Sequence, residues 1–159
     1  MKQRFAAIYF AGIIAETIIR VPYDRQRRRI TMTDRRGRGP GVPVLRRLLG
    51  RVMVLPLIYA FTRRLDAADY GLSPSARNRV GWLGTAILGA ALWLFWRAHR
   101  DLGANWSPSL EIGEQHQLIT RGVYQYSRHP MYAPQLLWSV AQLLLLPNWI
   151  AGGAGLVTF

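Results

Sequence analysis

The 159-residue chain is 50% hydrophobic yet carries a formal net charge of +13, from 21 Lys and Arg against 8 Asp and Glu. That length holds one ordinary domain, and apolar bulk beside such a charge suits a chain whose greasy segments meet lipid while its charges stay in loops. The absence of Cys excludes a disulfide framework and any thiolate-held zinc, and three scattered His do not suggest a metal cluster.

In chain order, residues 5–21 (FAAIYFAGIIAETIIRV) are apolar except for Glu16, Thr17 and Arg20. They follow Lys2 and Arg4, but no small-x-small cleavage site closes them and the stronger positive charge lies after them. They therefore read as a retained span with its N-terminus outside, rather than as a signal peptide. Residues 48–62 (LLGRVMVLPLIYAFT) are a shorter stretch with Arg51 near its start. Residues 80–96 (VGWLGTAILGAALWLFW) carry no charge and end in aromatic residues, as an interfacial anchor does. Residues 131–146 form a fourth stretch, and after Pro147-Asn148 residues 149–159 are apolar again.

Spanning takes about 20 apolar residues, with about 17 as a lower limit. The first and third stretches reach that limit, and the second and fourth need flanking residues. The last would form only about 16 Å of helix, leaving a terminal carboxylate near the bilayer middle, where charge is costly. One kinked helix over residues 131–159 would also fit. Pro-Asn-Trp is turn chemistry followed by an interfacial anchor, so a helical hairpin is preferred, with its final helix unfinished. The expected fold is an all-α integral membrane protein with about four to five transmembrane helices. Residues 1–79 hold the N-terminal helices and an Arg-rich loop. Residues 80–159 hold a core made of a helix, a loop over 97–130 and the hairpin over 131–159.

The loop of residues 22–47 contains Arg25, Arg27, Arg28, Arg29, Arg35, Arg36, Arg38, Arg46 and Arg47. Positive residues of this density belong on the cytoplasmic side. Alternation then puts residues 63–79 outside and residues 97–130 in the cytoplasm. The expectation is thus a multi-pass protein of a bacterial inner membrane. Of the basic residues only Lys2 is lysine, and the loop lacks interleaved aromatics for base stacking. It reads as a topology-setting loop in contact with anionic lipid headgroups, not as a nucleic-acid site.

Residues 97–130 (RAHRDLGANWSPSLEIGEQHQLITRGVYQYSRHP) hold all three His with Asp101, Glu111 and Glu114, and they are too long for a simple connector. Pro130 disfavours the α conformation at His129 and is tolerated in the first turn of the helix that follows. The start of that helix presents unpaired N–H groups and a positive dipole end, suited to a carboxylate or phosphate. Arg128 and His129 add donors there, and Tyr124, Tyr126 and Tyr132 offer ring faces for a base or a sulfonium cation. Together these residues would make a pocket for a zwitterionic small molecule. They would serve equally as an interfacial belt, and their chemistry alone leaves both readings open.

Three blocks, LGANWSP, HQLITRGVYQYSRHPMY and LLWSVAQLLLLPNWIAG, resemble the isoprenylcysteine carboxyl methyltransferase and phospholipid methyltransferase family from about Leu83 onward. Its members are small integral membrane enzymes that use S-adenosylmethionine. The middle block follows the family pattern His-x-Leu-(Val/Ile)-Thr-x-Gly-x-Tyr and then Arg-His-Pro-x-Tyr. The resemblance covers about half the chain. It implies cofactor contacts at His116, Gln117, Leu118, Ile119, Thr120 and Tyr124, then at Arg128, His129, Pro130, Met131 and Tyr132. It assigns no catalytic residue and no metal.

Two departures stand out. Ala133-Pro134 replaces the Gly that usually follows the motif's Tyr. The family also continues with an Arg and a Glu-Glu pair on a C-terminal helix, and this sequence ends at Phe159 before any of them. The resemblance implies methyl transfer to the carboxylate of an isoprenylated or other lipophilic substrate, reached from the membrane lipids. A carboxylate needs no general base, being ionised at pH 7. Two alternatives stand beside it. One is a catalytically incomplete membrane protein of the same fold. The other is a sterol-reductase-like, NADPH-dependent enzyme, a group that typically reads Arg-His-Pro-Asn-Tyr where this chain has Met131. Glu16 and Arg51 would pair with each other, line the substrate's path, or in the case of Arg51 snorkel from a helix end. The small residues of GTAILGAA would pack within the chain or between chains, so oligomeric state stays open.

Overall fold

A computed structural model describes residues 2–28, 32–35, 54–103, 111–113, 120–127 and 130–157. The order is helix α1 (Lys2–Arg28), strand β1 (Met32–Arg35), helix α2 (residues 54–61), a 3-10 turn (Asp66–Ala68) and helix α3 (Pro74–Leu102). Strand β2 (Glu111–Gly113), a second 3-10 turn (Gly122–Gln125), helix α4 (Tyr132–Leu145) and a single turn α5 (Ala154–Val157) complete it. The architecture is helical as expected. It adds one short antiparallel pair, β1 with β2, in which Met32 faces Gly113, Asp34 faces Ile112 and Arg35 faces Glu111 across a bulge.

Helix α3 is longer than its apolar core of residues 80–96, because its capping chemistry lies outside that core. Ser73 is extended, its Oγ accepts the Ala76 N–H at 3.3 Å, and Pro74 occupies the first turn. At the other end Gly103 takes φ 54 and donates its N–H to His99 O. The 29 residues rise about 44 Å. Two segments, Gln3–Gln26 and Pro74–Leu102, are long and apolar enough to cross a membrane. Their most apolar windows are only 22% and 28% buried inside the chain, so both leave most of that surface to their surroundings. Helix α2 is described over eight residues and α4 over 14, or about 21 Å of rise for the latter.

The helices alternate in direction. Phe5 meets Trp82 edge-on, the Gly12 backbone closes on Leu88, and Tyr23 lies 5.2 Å from the His99 ring, so α1 and α3 run parallel. Helix α4 runs against both: Gly84 of α3 packs on Leu144 and Leu145, and Tyr9 of α1 donates to Gln142 Oε1 at 3.0 Å. A Cβ at Gly84 would stand 2.8 Å from Leu144 Cβ, so glycine there sets the α3–α4 spacing. The small-residue run therefore packs within the chain at Gly84 and Ala91, while Gly89 has open space around it. Phe5, Ala6, Tyr9, Tyr59, Leu88, Ala141, Leu145, Leu146 and Ala151 form the core where these helices meet.

After α4 the chain turns back at Pro147 and Asn148. Asn148 is fully buried and its amide is saturated. Its Nδ2 donates to Leu65 O at 2.6 Å and Asp69 Oδ1 at 3.0 Å, while its Oδ1 accepts the Ile150 and Ala151 N–H groups at 3.1 and 3.0 Å. Backbone bonds from Tyr70 N to Pro147 O and from Trp149 N to Ala68 O close the same junction. The returning segment is then held on α4 by Gln142 Nε2 to Ala151 O at 2.7 Å and Ser139 Oγ to Gly155 O at 3.0 Å.

Candidate functional site

The Gly122–Gln125 turn packs on the end of α3, and α4 starts toward the same end of the helices, opposite to Asn148. Gly122 has φ 65, the left-handed region that glycine enters at little cost. A Cβ there would also overlap the Asp101 carboxylate. The next residue, Val123, donates its N–H to Asp101 Oδ2 at 2.9 Å. Asp101 lies in the last turn of α3, with its Oδ2 3.7 Å from Arg97 Nη2 one turn earlier. The turn is thus fastened to a rigid helix by a charge-assisted hydrogen bond.

That fastening presents Tyr124. The side chain is half-buried, and its hydroxyl is buried with no hydrogen-bond partner among the described residues. Burial, and then the nearby Asp101 charge, push its ionisation up to about 12. A buried hydroxyl left without a partner is costly, on the order of 1–3 kcal/mol, so this one is suited to a polar ligand group. Tyr126 and Tyr132, the other motif tyrosines, are 85% and 59% exposed and do not share that setting.

Pro130 is buried, Met131 stands at the N-cap of α4 without a side-chain cap bond, and Tyr132 opens the helix. Pro130 thus precedes the helix by two residues instead of opening it. Pro134, in the first turn, costs the helix no bond because amide donors there lack an i−4 acceptor. Among the residues singled out from the sequence, the structure brings Tyr124, Pro130, Met131 and Tyr132 to this end, with Thr120 exposed just before the turn. His116, Gln117, Leu118, Ile119, Arg128 and His129 lie outside the described residues, as do Arg51 and Glu114.

Asp101 was legible only as one acid in a polar stretch. The available signal was the Ser73-Pro74 start and the Gly103 stop, which extend α3 far enough to set Asp101 four residues after Arg97 on one helical face. Glu16 has a partner on its own helix, Arg20, at 3.0 Å. The Arg20 guanidinium in turn lies 5.4 Å from the centre of the Phe95 ring. A cavity of about 570 Å³ between Gln3, Tyr59, Phe61, Arg63 and Arg77 opens at the far end, and takes no part in the Tyr124 site.

Set beside known proteins, residues 82–156 match the model of the isoprenylcysteine carboxyl methyltransferase (ICMT) family. Over 38 residues, 24% of this chain and 19% of the relative, the sequence is 50% identical to protein-S-isoprenylcysteine O-methyltransferase B of Arabidopsis thaliana. Over 41 residues, 26% of this chain and 17% of the relative, it is 45% identical to protein-S-isoprenylcysteine O-methyltransferase of Dictyostelium discoideum. The chain therefore spans less than a fifth of the length of these curated relatives. The matched region takes in most of α3, the Gly122–Gln125 turn and α4 with its reversal, and over it this chain is similar to the isoprenylcysteine carboxyl methyltransferase family.

Proposed function

We propose that the chain forms the core of a multi-pass membrane methyltransferase that binds S-adenosylmethionine and methylates the carboxylate of an isoprenylated or other lipophilic substrate. The observation that carries this reading is Tyr124, a residue of the family-like motif whose buried hydroxyl has no partner among the described residues, held at the mouth of the apolar helices. When bound, S-adenosylmethionine supplies an electrophilic sulfonium methyl. Tyr124 and the first turn of α4 would hold its polar parts, with the 116–119 and 128–129 segments completing the site. A carboxylate acceptor arrives already ionised, so the protein's work is to position it and keep water away. The acceptor's apolar tail would reach the site from the bilayer, along the lipid-facing surface of α1 and α3. In this reading the Arg-rich segment and the 97–130 loop face the cytoplasm, and helices beyond the two long segments bring the number of spans to four or five.

Calorimetric titration of the detergent-solubilised protein with S-adenosylhomocysteine tests the reading, with NADPH as the contrasting ligand. Binding of the former and not the latter is expected, and the reverse would assign a reductase. His129→Ala is expected to abolish the heat of binding while leaving membrane insertion intact; unchanged affinity would remove His129 from the site.

A further inference from the structure

Asp101 stands outside the motif yet holds it. Its carboxylate is 13% exposed, accepts the Val123 N–H at 2.9 Å and borders Arg97. The bond joins residues 22 positions apart, linking the stiff end of a 29-residue helix to a four-residue turn. Gly122 is fitted to the same carboxylate, because a side chain there would occupy the space that Asp101 fills. The amide that Asp101 grips directly precedes Tyr124 in the chain. None of the residues implied by the motif supplies this connection.

We propose that Asp101 is the positioning residue of the ligand site: by accepting the Val123 N–H it pins the Gly122–Gln125 turn to α3 and thereby aims Tyr124 at the bound ligand. Only the identity of the ligand rests on the methyltransferase reading; the pinning does not. A helix end is a better reference point than a loop, since small displacements of a liganding group cost affinity steeply. The pinning calls for an oxygen acceptor at this place, which a neutral amide also supplies.

Asp101→Asn and Asp101→Ala separate these roles. Asparagine keeps a carbonyl oxygen for the Val123 N–H, and alanine removes it. S-adenosylhomocysteine titration is expected to show Asp101→Asn within about threefold of wild type and Asp101→Ala weaker by about tenfold or more. Hydrogen–deuterium exchange of the 120–127 peptide is expected to quicken in Asp101→Ala alone. Ultraviolet titration supplies a signature that lost stability would not produce: Tyr124 ionises at lower pH in Asp101→Asn, because the neighbouring charge is gone while the turn stays in place. Should Asp101→Ala fail to fold, Gly122→Ala breaks the same contact from the turn side and is expected to lose ligand affinity equally. Wild-type affinity together with wild-type exchange in Asp101→Ala overturns the proposal. If the wild-type protein binds no S-adenosylhomocysteine, the methyltransferase reading falls, and the exchange comparison still decides whether Asp101 pins the turn.

Discussion

Tyr124 ionises near pH 12 instead of near 10 because the fold buries its hydroxyl and sets an acid beside it. The sign of the linkage follows. The folded chain favours the neutral phenol, so the contribution of this group to stability is whole below pH 10 and is lost as pH rises through about 12. A difference ultraviolet titration of wild type against Tyr124→Phe is expected to show one phenol ionising near pH 12; a missing phenol that titrates near 10 would mean its hydroxyl is not buried. At this scale the motif made Tyr124 legible but not its distinction from Tyr126 and Tyr132. All three lie in one short polar-aromatic run, and only tertiary packing separates a half-buried ring from two exposed ones. Asp101 was less legible still, since its partner lies 22 residues away. Glu16 shows the opposite case. Arg20, four residues later, is the local partner that i,i+4 geometry offers.

The hairpin turn depends on one amide. Replacing Asn148 with Ala strips partners from Leu65 O, Asp69 and the Ile150 and Ala151 N–H groups together. A loss of about 3 kcal/mol is expected, on the order of 1 kcal/mol for each of Leu65 O and the Ile150 and Ala151 N–H groups. Unfolding in mixed detergent measures it, and a change below about 1 kcal/mol would show that water replaces the amide. Pro147-Asn148 was readable as a turn from residue type. That the same Asn also reaches back to residues 65 and 69 was not, because no local pattern encodes a contact across 83 residues. The strand pair was hidden for the same reason: Met32–Arg35 and Glu111–Gly113 are short, flanked by charge, and acquire strand character only from each other. Helix α3 was the converse, an apolar run visible at once, whose true ends lay in the Ser73-Pro74 and Gly103 signals on either side of it.

Alternation of the helices gives the molecule two unlike ends. The β1–β2 pair puts residues 32–35 beside residues 111–113 at one, and the Asp69–Asn148 bridge puts residue 69 beside the hairpin turn at the other. The distribution of arginine leads to the expectation that residues 22–47 and 97–130 share a side of the membrane and that residues 63–79 lie on the other. Because the chain has no native Cys, Arg63→Cys and Tyr126→Cys report on the two ends cleanly, both side chains being well exposed. A membrane-impermeant maleimide on intact cells is expected to label Arg63→Cys directly and Tyr126→Cys only after permeabilisation. Labelling of both from one side would be incompatible with the alternating course of the helices.

The close seating of Gly84 against Leu144 and Leu145 bears on how a ligand gets in and out. Two rods that touch backbone-near at one end, and are tied to a shared knot beyond it, resist being levered apart at the other. For the nucleoside of the proposed cofactor, room would then come from movement of the Gly122–Gln125 turn, not from scissoring of the rods. The tempo of ligand exchange would accordingly be set by how often the clasp between residues 101 and 123 lets go.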